Sequence, residues 1–61
     1  MDTYRVKFEL TYPESKNDIR TAYVLAKSFN DAILKVEQRY KKQYESAGVL
    51  EVEVLEADII V

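Results

Sequence analysis

The sequence predicts an α+β domain of the form β-β-α-β, with one helix packed on one face of a three-stranded antiparallel sheet. Three observations predict it. Residues 4–12 alternate apolar and polar side chains, a second β-favouring run at 19–27 follows a turn-rich hexapeptide, and a single segment from Ser28 to Gly48 carries an apolar stripe at helical spacing.

In the first run Tyr4, Val6, Phe8, Leu10 and Tyr12 alternate with Arg5, Lys7, Glu9 and Thr11, a period of two that puts the apolar set on one face of a strand. Residues 13–18, Pro-Glu-Ser-Lys-Asn-Asp, are turn formers, so the first two runs read as a hairpin with a six-residue loop. Ser28 begins the helix: its hydroxyl can accept from the amide of Asp31 while the Asp31 carboxylate reaches back. Phe29, Ala32, Ile33, Val36, Tyr40, Tyr44 and Ala47 then fall on one stripe, and Gly48 is placed to end the helix in a left-handed conformation. Lys41 and Lys42 near the end and Asp31 in the first turn agree with the helix dipole.

The third strand is expected from Val49, with Leu50, Val52 and Val54 alternating against Glu51 and Glu53. Glu56 then arrives where an apolar residue is due, so a bulge or bend near Leu55-Glu56, or an extra short strand, is expected; beyond it Ala57, Ile59 and Val61 share one parity. A right-handed crossover returns the third strand parallel to the second and beside the first, giving a sheet order of 2-1-3.

With 61 residues the chain holds one domain, 1–61, and such a chain buries only about 60% of the surface it exposes unfolded. Small domains usually add disulfides, a metal or a second subunit; Cys 0 and His 0 turn the expectation to self-association, without cofactor or metal. Lack of cysteine fits a reducing cytoplasm, and no segment reaches the roughly 18 apolar residues of a membrane span. The expectation is a soluble, unprocessed cytoplasmic protein. Net charge is −2, unevenly spread: residues 1–48 hold nine bases and seven acids, and 49–61 hold four acids and no base.

Enzymatic function is not expected. There is no histidine or cysteine to act as base, nucleophile or soft metal ligand, Ser15, Ser28 and Ser46 have no imidazole to activate them, and Glu51 and Glu53 read as solvated acids. Two charged sets remain. Lys35, Arg39 and Lys42 share a helix flank, with Lys27 just before it, and could contact nucleic-acid phosphates, against the acidic overall balance. Glu51, Glu53, Glu56 and Asp58 form an acidic row that could compete with DNA for a basic protein surface.

The most telling feature is a surplus of apolar side chains. The second strand carries them on both parities, Ala22, Val24 and Ala26 on one and Ile19, Tyr23 and Leu25 on the other, and one helix can cover only one face. Whichever row faces the helix, the other needs a partner. Ile19, Tyr23 and Leu25, with Leu34 on the helix and Ile59 and Val61 on the last strand, are the candidate apolar contacts, and a homodimer through the open face or through the C-terminal edge strands is expected.

The junction at 26–32, Ala-Lys-Ser-Phe-Asn-Asp-Ala, in which a strand runs straight into a capped helix, is similar to one found in many short bacterial and phage proteins. In size, lack of cysteine and Lys, Glu and Tyr content the chain resembles small phage early proteins, which bind and redirect host machinery and some of which imitate DNA. The resemblance implies a non-enzymatic protein that modulates or inhibits a host protein, such as a DNA-binding one. A nucleic-acid-binding module and a structural or assembly subunit are the alternatives.

Overall fold

The alternating first run forms strand β1 (Asp2–Thr11) in the computed structural model, which describes residues 1–60. Strand β2 (Asp18–Ala26) pairs antiparallel with it, from Asp2 opposite Ala26 to Leu10 opposite Asp18. Helix α1 (Phe29–Glu45) follows, and strand β3 (Glu51–Ile60) pairs antiparallel with the other side of β1, so the sheet order is β2-β1-β3, as the sequence predicts.

The core lies between α1 and one face of the sheet. Tyr4, Val6, Phe8 and Leu10 of β1, Ala22, Val24 and Ala26 of β2, Ala32 and Val36 of α1 and Val52 of β3 are buried. Aromatic rings tie the layers together: Phe8 stacks on Tyr40 with centroids 4.8 Å apart, and Tyr4 meets Phe29 edge to face at 5.0 Å. The parity that the pattern of β2 leaves open is decided for Ala22, Val24 and Ala26. Ala22 and Ala26 are small, as is Ala32 on the facing helix, which lets the backbones approach closely.

The helix begins where the sequence places it. The Asp31 amide donates to Ser28 Oγ at 3.1 Å, and the Asp31 carboxylate accepts from the Lys27 amide at 3.0 Å, one residue ahead of the cap. That hydrogen bond, with smaller contributions from Lys35 and Lys27, holds the Asp31 carboxyl below its ordinary pKa. A carboxyl depressed on folding stabilises the fold at pH above its unfolded pKa, and this contribution is lost as pH falls through the folded value. Asp31→Asn should therefore flatten the acid limb of stability against pH below about 4 in urea melts. Ser28→Ala, which removes the cap acceptor, is expected to cost about 1 kcal/mol and to lower the Tm by roughly 4–8 °C in a thermal melt.

The C-terminal end of α1 differs from the sequence reading by a turn. Gly48 has φ +88°, its amide donates to the Glu45 carbonyl at 3.1 Å, and the Val49 amide donates to the Tyr44 carbonyl at 3.2 Å, the double closure of a Schellman turn. Ala47, expected on the apolar stripe, is consequently an exposed turn residue, and Val49 folds back against the core. The third strand opens at Glu51 and not at Val49. The register with β1 ends at Glu51 opposite Thr11, and although the Leu50 amide donates to the Thr11 carbonyl at 2.8 Å, its side chain, expected in the inward row, is exposed.

The bulge falls where the alternation fails. Lys7 lies opposite Glu56 and Phe8 opposite Val54, which leaves Leu55 as the extra residue of β3. No separate short strand follows it among the described residues; β3 continues to Ile60. Val61, named above among the apolar contacts, lies outside the described residues.

Candidate protein-binding face

The period of two that buries one side of the sheet presents the other side to solvent as an ordered array. Across it run Leu25-Thr3-Ile60, Tyr23-Arg5-Asp58, Thr21-Lys7-Glu56 and Ile19-Glu9-Glu53, reading from β2 through β1 to β3, and Glu51 lies beside Thr11 at the end. The array has three stripes. Along β2 it is apolar, with Tyr23 62%, Leu25 60% and Ile19 52% exposed. Along β1 it is charged, and along β3 it is acidic until Ile60.

The bulge creates the acidic stripe. Without the bulge to absorb Leu55, strict alternation would send the two halves of β3 to opposite parities, and Glu51 and Glu53 could not share a face with Glu56 and Asp58. All four expected carboxylates are therefore brought together, but they are not equally free. Asp58 accepts from the Arg5 guanidinium at 3.2 Å, and Glu56 is the register partner of Lys7. The other two meet no cation in their own rows. Glu53 stands directly across from Glu9, a like-charge pair of the kind that destabilises neighbouring strands by several tenths of a kcal/mol.

Glu9 is the participant the sequence reading misses. Its outward parity on β1 was legible, but its juxtaposition with Glu53 depends on the register set by the bulge. Arg5 and Lys7 were likewise legible as outward residues, and only the register reveals that they divide the acidic row. In sum the face holds two cations against five carboxylates, a net charge of −3.

The apolar set is divided between surfaces. Ile19, Tyr23 and Leu25 form one row on the open face, whereas Ile59 lies opposite Tyr4 on the helix side, at the β3 edge and still 42% exposed. Leu34 is exposed on the helix.

The expected cations of α1 are partly committed to the fold. Lys35 Nζ donates to the Leu25 carbonyl at 2.9 Å and approaches the Asp31 carboxylate at 3.3 Å, so it ties the helix to β2. Lys35 and Arg39 flank an open groove of about 610 Å³ whose β2 wall includes Tyr23 and Leu25. Lys42 lines a different hollow with Gln38, Val49 and Leu50. Lys27 enters the cap through its backbone.

The chain matches no family model, no curated protein and no solved structure. Among the described residues no group of three acids stands close enough to hold a metal ion, and no helix is long and apolar enough to cross a membrane. Ser28, one of the three serines, has its hydroxyl engaged in the helix cap.

Proposed function

We propose that this protein is a non-catalytic binding module that docks another protein on the helix-free face of its sheet and so modulates that protein. The observation that carries the reading is the row Ile19, Tyr23 and Leu25, three large apolar side chains each more than half exposed and held in register on an ordered face. An antiparallel sheet commonly leaves its second face to water and lines it with polar side chains, whereas here the β2 side of that face carries large apolar ones.

Lack of histidine and cysteine supports the non-catalytic part of the reading, since there is no thiol nucleophile and no imidazole to activate a serine. The resemblance to small phage early proteins favours a host protein as the target. Imitation of a DNA backbone has less support, because Arg5 and Lys7 interrupt the carboxylate row. Acidity fits better as a means of recognising a partner than as a copy of a phosphate ladder. Nucleic-acid binding by the helix flank also has less support, with Lys35 held by the Leu25 carbonyl and Asp31.

The test is affinity capture from the source cell with the natural chain and with the double variant Tyr23→Ser/Leu25→Ser. Both residues are exposed, so the variant is expected to keep the melting profile within about 0.5 kcal/mol of the natural chain. The expected result is a protein recovered by the natural chain and lost from the variant. Equal recovery by both would overturn the proposal.

A further inference from the structure

The open face has a definite size. Eight strand steps from Thr3 to Thr11 span about 27 Å, and three strands are about 14 Å wide. A helix of 17 residues, the length of α1, is about 26 Å long and about 10 Å across. The helix-free face thus has room for one helix, as the covered face does.

Helix α1 is not that occupant, because it already buries Ala32 and Val36 against the covered face. Nor does a second copy fit as a face-to-face partner, because each face carries −3 and would meet its like. The edges are no better suited to self-pairing. β3 is interrupted by the Leu55 bulge and studded with Glu51, Glu53, Glu56 and Asp58, and on β2 the Leu25 carbonyl already accepts from Lys35. These features weigh against the homodimer that the apolar surplus alone suggests.

Resting on the binding function proposed above, we infer that the occupant is a basic amphipathic helix of an unlike protein. Its apolar stripe lies along Ile19, Tyr23 and Leu25, and its lysines or arginines lie beside Glu9, Glu51 and Glu53. The Glu9–Glu53 pair is the feature that selects positive charge. Two carboxylates set opposite each other weaken the free protein, and a cation placed over them relieves the repulsion only in the complex. Arg5 and Lys7, nearer the other end, repel a basic side chain there and so fix which way the helix lies.

The experiment is an amide chemical-shift titration of the full chain with two synthetic helical peptides of about 18 residues. They share one leucine stripe, and one carries lysine at the flanking positions where the other carries glutamate. The lysine peptide is expected to shift the amides of Thr3, Arg5, Glu9, Tyr23 and Glu53, more weakly as salt rises, and the glutamate peptide to shift none of them. Glu9→Gln/Glu53→Gln should melt higher than the natural chain and bind the lysine peptide at least about tenfold more weakly, an opposition that a purely structural pair would not produce.

Equal binding of both peptides, shifts confined to α1, or a dimer in sedimentation equilibrium at tens of micromolar would overturn the inference. The two readings fail separately. If Tyr23→Ser/Leu25→Ser loses the cellular partner while Glu9→Gln/Glu53→Gln retains it, the docking face stands and its preference for a basic helix falls.

Discussion

Phe8→Ala is expected to remove at least about a third of the protein's stability at 25 °C. Phe8 is the largest fully buried side chain; it lies on the central strand and stacks on Tyr40 at an interplanar angle of 28°. Truncating a buried phenylalanine removes its transfer free energy and leaves a cavity, at a cost of about 3–5 kcal/mol. At about 0.05–0.15 kcal/mol per residue, a chain of 61 residues has a total stability of roughly 3–9 kcal/mol. The loss is therefore between about a third and the whole of it. Urea or thermal melts followed by circular dichroism measure it; a cost below about 1 kcal/mol would mean that Phe8 does not occupy the centre of the core.

Deleting Leu55 is expected to leave the protein folded, at a cost of no more than about 0.5 kcal/mol, because Leu55 is 45% exposed and has no partner on β1. Without it Glu51, Val52, Glu53, Val54, Glu56, Ala57 and Asp58 alternate strictly, so a regular strand keeps the four carboxylates outward and Val52, Val54 and Ala57 toward the core. Leu55→Ala, which keeps the bulge, should cost about 0.5 kcal/mol as well. A deletion that costs more than about 1.5 kcal/mol in urea melts, the burial of one valine, would show that the two halves of β3 depend on the bulge itself.

Most of the fold was legible because its signals are local. The alternation of β1, the Ser28–Asp31 cap and the position of Gly48 each reflect a backbone requirement met within a few residues. Even the bulge was legible, since Glu56 breaks a pattern that would otherwise bury it. Less could be read where two elements must be compared. The buried parity of β2 depends on how closely α1 approaches, and both of its rows are apolar enough to serve as an inner face. Leu50 and Ala47 were misplaced because the Schellman turn spends Ala47, Gly48 and Val49 on reversing the chain before pairing begins.

The candidate site was half legible. Its apolar row and acidic row were visible as separate patterns, and their meeting on one face was not, because it requires the register of three strands. The same register pairs Arg5 with Asp58 and sets Glu9 against Glu53, which turns a plain acidic strand into a face with a neutralised end and an acidic end.

The claim that the helix-free face is a docking surface is tested most directly by photo-crosslinking in the source cell, with a benzophenone amino acid substituted at Tyr23 or at Glu37, which is exposed on α1. The expected result is a discrete crosslinked protein from position 23 and none from position 37. Crosslinking from position 37 alone, or from neither position in cells where affinity capture recovers a partner, would contradict it.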